Sequence, residues 1–173
     1  DNKWKVKFIL NDSYLIVASF GVLKVIEIGN KNTIVDILDF EFGAKSLCFI
    51  ESKNLILLGS WEGRILGFDL ITGRKTKIWG GHKELVYSVA AYNEKSLFLS
   101  GDSDGNLYFW DRASKNLSNF YKIHNSTITT IEVLPDGNIL TGSWDKTIKV
   151  SDISGNTFWE MDAKDWVYNA FWV

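Results

Sequence analysis

Three residue types that together can do nucleophilic chemistry recur in this chain: a histidine, a hydroxyl and a carboxylate. His82, Ser100 and Asp104 make one set; His124, Thr141 and Asp145 make a second, displaced by 42, 41 and 41 positions. In a hydrolase the imidazole would take the hydroxyl proton while the carboxylate orients the ring. A set that returns at a fixed interval fits a structural unit better than a unique active site. A buried neutral imidazole must satisfy one donor and one acceptor, and a hydroxyl with a carboxylate can do both. Other reactive groups are few. Cys48 is the only cysteine and lies in the apolar run Leu47-Cys48-Phe49-Ile50, where an inert core thiol is expected. No Cys/His cluster surrounds either histidine, so neither a metal nor another cofactor is expected. Gly59, Gly101 and Gly142 precede tight turns and are not followed by the Lys-Ser/Thr of a phosphate loop.

The positioning framework is a repeat. Leu57-Leu58-Gly59-Ser60-Trp61-Glu62-Gly63 returns as Leu99-Ser100-Gly101-Asp102-Ser103-Asp104-Gly105 and as Leu140-Thr141-Gly142-Ser143-Trp144-Asp145-Lys146. Each is followed by an alternating stretch ending at Asp69, Asp111 or Asp152, and one period earlier Glu27 closes a fourth copy. Within each copy the segments are short, β-rich and separated by turn residues, as in Val86–Tyr92, Leu97–Ser100, Leu107–Asp111 and Asn116–Tyr121. The only proline, Pro135, stands where a type I turn wants its fixed φ. No window keeps helical spacing, so helices should be nearly absent. Four short strands every 40–45 residues indicate an all-β chain folded as a β-propeller of four-stranded antiparallel blades. The expected blades span about 4–40, 44–80, 84–122 and 126–162. Residues 166–173, with a strand over Trp166–Trp172, would open a fifth blade. The whole of 1–173 is then one unit. An open arc would leave apolar blade faces in water. The expectation is therefore a larger ring, completed by further blades or by a second copy of the chain.

Composition agrees with this and narrows the partners. Of 173 residues 46% are apolar and 23% charged, with a net charge of −2. That is a globular balance without the basic excess of a nucleic-acid binder. No run of about 18 apolar residues suggests a membrane span, and no secretory leader pattern opens the chain. The expected setting is intracellular, cytoplasm before nucleus.

Gly81-His82 lies 28 residues before Trp110-Asp111, and on this punctuation the chain resembles the WD-repeat family along essentially its whole length. The resemblance implies a buried network of His82, Ser100, Asp104 and Trp110 in copy three. Copy four keeps His124, Thr141 and Asp145 but has Ser151 at the tryptophan position. Copy two carries Leu58, Glu62 and Phe68, with Phe40 near the histidine position, and copy one carries Ile16, Phe20 and Ile26. Polar positions have become apolar together, as expected where a half-satisfied network is costly. The family also implies that the residue before the turn acid, and one near the start of the innermost strand, face the central channel. Here these are Trp61, Ser103 and Trp144, and Lys45, Tyr87, Thr129 and Tyr168. Such an aromatic rim has the composition of an interaction hot spot. Trp79, Trp159 and Trp172 are expected to pack within or between blades; Trp4 and Trp166 stand at strand starts. Lys3, Lys5 and Lys7 alternate on one strand and are read as a solvent-facing edge. The implied function is a scaffold or adaptor that binds proteins or peptides, for example as a substrate-recognition or assembly subunit. The alternatives are an architectural building block and an enzyme built on a propeller.

Overall fold

Turn chemistry divides the described residues into fourteen strands in a computed structural model that covers residues 5–92, 96–114 and 116–171, without the side chains of 20, 34 and 37–42. Blade one begins with β1 (Lys5–Ile9), paired antiparallel to the first part of β2 (Tyr14–Glu27). β2 doubles back at Gly21 (φ 68°), and its ends meet where the Ile28 N–H donates to the Ser13 carbonyl at 3.0 Å. Its second part pairs with the start of β3 (Asn32–Ile50), whose last residues cross into blade two and pair with β4 (Leu55–Ser60). β5 (Arg64–Asp69) and β6 (Lys75–Gly80) complete that blade. Blade three is β7 (Val86–Tyr92), β8 (Leu97–Asp102), β9 (Asn106–Asp111) and β10 (Leu117–Lys122). Blade four is β11 (Ile128–Val133), β12 (Ile139–Ser143), β13 (Thr147–Ser151) and β14 (Thr157–Asp162). The helical content of the described residues is one 3-10 turn, Glu51–Lys53. Pro135 initiates a turn closed by the Gly137 N–H on the Leu134 carbonyl at 2.9 Å.

Blades stack through apolar side chains. Ile16, Leu23, Leu58, Leu66 and Phe68 share one buried cluster in blades one and two, where the apolar replacements of the network fall. Trp79 of β6 reaches into blade three, its ring centre 5.0 Å from that of Phe98 in an edge-to-face contact and its indole N–H donating to the Ser114 carbonyl at 3.1 Å. Close approach is secured by a glycine in the second strand of each of these blades. A Cβ on Gly59 would meet Val86, one on Gly101 would meet Ile128, and one on Gly142 would meet Val167, each under 3 Å. Cys48 is buried, and that burial pushes its thiol pKa up.

Two expectations fail here. No strand is formed by the described part of Trp166–Trp172. Val167 nevertheless stands where Val86 and Ile128 stand for the preceding blades, its N–H on the Ser143 carbonyl at 3.1 Å. The segment is seated by side-chain and turn bonds, including Thr130 Oγ1 to Asn169 Oδ1 at 3.0 Å, but no strand ladders against it. Trp159 is not packed between blades: it is 46% exposed on the open face of blade four. Trp4, Trp172, Lys3 and the side chains of Phe20 and Phe40 lie outside the described residues.

Candidate functional site

Blade three builds its network from the strand–turn–strand that joins β8 to β9. His82 Nε2 lies 2.6 Å from Ser100 Oγ, and Trp110 donates its indole N–H to the same oxygen at 2.7 Å. His82 Nδ1 lies 3.2 Å from the carboxylate of Asp102, not of Asp104. Only one assignment of protons satisfies every group: the indole donates to Ser100, Ser100 donates to Nε2, and Nδ1–H donates to Asp102. Asp104 is exposed. The correction has a local cause. Asp102 stands where Ser60 and Ser143 stand in the neighbouring blades, and those hydroxyls cap the turn by accepting from Glu62 and Asp145 N–H groups. A carboxylate there caps the same turn, accepting from the Asp104 and Asn106 N–H groups at 3.1 and 2.9 Å, and its second oxygen reaches the imidazole.

Blade four uses the expected residues. His124 Nε2 meets Thr141 Oγ1 at 2.8 Å and Nδ1 meets Asp145 Oδ2 at 3.0 Å. Thr147 and the Asn125 N–H complete the carboxylate's shell. Burial alone would raise the Asp145 pKa, but the Thr147 hydroxyl, the Asn125 N–H and His124 outweigh it and hold it at about 2. Both imidazoles are pushed below the usual histidine value, chiefly by burial, with their carboxylates opposing. Ser151, at the tryptophan position, bonds Thr157 at 2.9 Å instead.

The hydrogen-bond polarity of His82, Ser100 and Asp102 is that of a catalytic triad, but its setting is not. Ser100 is 0% exposed and its hydroxyl is covered by the Trp110 indole. A nucleophile needs room for a substrate carbonyl at about 3 Å. The network fastens the turn to the blade.

The aromatic side chains make a continuous row that also takes in Trp166. Lys45 Nζ lies 4.2 Å from the Trp61 ring centre and 5.5 Å from that of Tyr87. Tyr87 meets Trp144 edge-on at 5.1 Å, and Trp144 contacts Trp166 at 5.9 Å and Tyr168 at 6.5 Å. Lys5 also approaches Tyr87, at 6.0 Å, so it belongs to this side and not to a solvent-facing edge. Trp61 is 53% exposed and Tyr168 65%. The Trp144 indole N–H is buried without an acceptor among the described residues, which leaves that ring held by packing alone. Thr129 does not belong to the face. It is buried, its hydroxyl 3.0 Å from the Gly142 carbonyl and 2.6 Å from that of Val167, because it carries the contact to the segment after blade four. Ser103 is half-buried, its backbone tied to Leu85 and Thr127. Trp166 is the residue that sequence reasoning left unplaced; its spacing to Tyr168 and its place opposite Trp144 were the available signals.

Repeated four-stranded blades, two of them locked by a His–hydroxyl–carboxylate network, define a repeat-built β-propeller. The chain belongs to the WD-repeat family: residues 73–111 and 115–152 match the WD domain, G-beta repeat. A guanine nucleotide-binding protein subunit beta from Zea mays is 31% identical over 128 residues, covering 67% of this chain and 34% of that protein. One from Nicotiana tabacum is 36% identical over 112 residues, covering 60% and 29%. Among solved structures, the computationally designed Ika8 protein superposes with a TM-score of 0.77 at 25% identity, covering 91% of this chain and 48% of that one. A chain of the mitotic checkpoint complex gives 0.80 at 21% identity, covering 91% and 50%. The chain therefore spans about a third of the curated relatives and about half of the solved chains it matches.

Proposed function

We propose that the chain is a protein-interaction scaffold whose working surface is the row Trp61–Lys45–Tyr87–Trp144–Trp166–Tyr168. The observation that carries this reading is the continuity of that row, with Trp61 and Tyr168 open to solvent. Large rigid rings supply contact area at low entropic cost, and a preorganised blade array loses little further order on binding. The relatives named as guanine nucleotide-binding protein subunits and the checkpoint-complex chain support a partner that is a protein. An adaptor role, recruiting a substrate or an assembly partner, is the specific form we favour. The sealed Ser100 hydroxyl argues against a hydrolase built on this triad. Affinity capture with the intact protein tests the reading. Trp61→Ser with Trp144→Ser should remove a reproducible set of co-purifying proteins, while Ile71→Ser, in an exposed turn of blade two, should leave it. An unchanged set with the double variant would refute it.

The arc also needs closure. Blade four shows an apolar groove of about 700 Å³ lined by Leu140, Ile148, Val150, Phe158, Trp159 and Phe171. In blade two the corresponding surface, around Trp79, is covered by blade three. Further blades of the same ring are the occupant we favour. A stable dimer of the 173-residue chain in light scattering would favour a second copy instead.

A further inference from the structure

Within the aromatic row, Trp144, Trp166 and Tyr168 close a triangle. Their ring centres are separated by 5.9 Å for Trp144–Trp166 and by 6.5 Å for both Trp144–Tyr168 and Trp166–Tyr168, with planes inclined at 33°, 70° and 66°. A point lifted about 3 Å from the plane of those centres lies about 4.7 Å from all three, inside the roughly 6 Å reach of a cation–π attraction. Trp166 and Tyr168 are both more than half exposed, so that point is approachable from solvent. The other end of the row carries the same interaction internally, with the Lys45 ammonium 4.2 Å from the Trp61 centre. Among the described residues no lysine or arginine stands over the triangle.

A carboxylate immediately precedes Trp166 in the chain. Asp165 Oδ1 accepts the Trp166 backbone N–H at 2.7 Å, which ties the carboxylate to the chain at the root of the Trp166 side chain. Asp165 makes no ion pair among the described residues, whereas the nearby Lys164 is committed to Asp162 at 2.6 Å. Three rings with overlapping reach and an uncompensated carboxylate make a surface complementary to a cation and not merely to an apolar group.

We propose that Trp144, Trp166, Tyr168 and Asp165 form a subsite for an ammonium side chain, a lysine presented by the partner protein. This rests on the scaffold reading above and names the partner's chemistry. The indole N–H resonances of the intact protein, followed by NMR, read it directly with Nα-acetyl-lysine methylamide and its neutral norleucine counterpart as probes. The lysine probe should shift the Trp144 and Trp166 signals saturably, and norleucine should bind about tenfold more weakly. Asp165→Asn and Trp166→Ala should each weaken the lysine probe about threefold or more, since both side chains are exposed and neither supports the fold. Ile71→Ala, in an exposed turn of blade two, should change nothing. Equal binding of the two probes, or no saturable shift with lysine, would overturn the subsite. Partner capture that still depends on Trp61 and Trp144 would then leave the scaffold reading standing. Lysine-selective binding with capture indifferent to those tryptophans would support the subsite and reject the scaffold reading.

Discussion

Trp79→Ala is expected to lower the unfolding free energy by about 3–5 kcal/mol, the range for removing a large buried aromatic. The indole is 0% exposed, stacks its edge on Phe98 and spends its N–H on the Ser114 carbonyl, so the substitution opens a cavity between blades two and three. It also leaves that carbonyl without this donor. Trp159→Ala in the 173-residue chain by itself provides the contrast: with the ring half exposed on blade four, the loss should stay below about 1 kcal/mol. Urea unfolding followed by far-ultraviolet circular dichroism measures both. Equal losses would mean that the open face of blade four is covered in solution.

Asp102→Ala should cost about 2–4 kcal/mol, while Asp104→Ala should stay within about 0.5 kcal/mol. The reason is the number of groups each carboxylate serves. Asp102 accepts from the His82 ring, two backbone N–H groups and the Asn106 amide, and it is buried with Ser100 and His82. Its removal leaves the imidazole Nδ1–H without a partner in a dry site. Asp104 lies on the exposed side of the turn. The pair of variants separates the register seen in the structure from the register copied from blade four; a larger loss for Asp104→Ala would reverse the assignment.

That pair also shows where the sequence ran out. The repeat period, the strands of blade three and the residues of the blade-four network are legible because each rests on a spacing that recurs. The carboxylate of blade three is ambiguous because Asp102-Ser103-Asp104 offers two acids within one turn. Alignment picks Asp104; the turn geometry picks Asp102, since the position occupied by Ser60 and Ser143 points into the blade. Thr129 aligns with Tyr87 and Tyr168, yet a short β-branched hydroxyl finds two carbonyls at the blade contact, where a tyrosine projects past them. The strand over Trp166–Trp172 failed for a different reason. Its apolar pattern seats Val167 against Gly142, but a strand is defined by a ladder partner, and none is present among the described residues.

The aromatic row was legible as a set of residues but not as a surface. Tyr87, Trp144 and Tyr168 come from different blades, and only their mutual distances show that they touch. Lys45 was legible as a face residue, but its place against Tyr87 depends on how blades two and three are juxtaposed.

We read the two His–hydroxyl–carboxylate sets as structural locks and the aromatic face as the working surface. A pH titration of the His82 and His124 ring nitrogens by NMR tests the first half most directly. Burial depresses both imidazoles below about 6.5, so at pH 7 each should be neutral, with its proton on Nδ1 facing the carboxylate. The unfolded chain then takes up protons that the folded chain does not. Stability from these groups is full above about pH 6.5 and is lost as the pH falls through the folded values. Neutral Nδ1–H rings that charge only below 6.5, together with acid loss of stability, are the predicted result. An imidazole that titrates above 6.5 and exchanges freely with solvent would be poised for proton transfer, and would contradict the structural account.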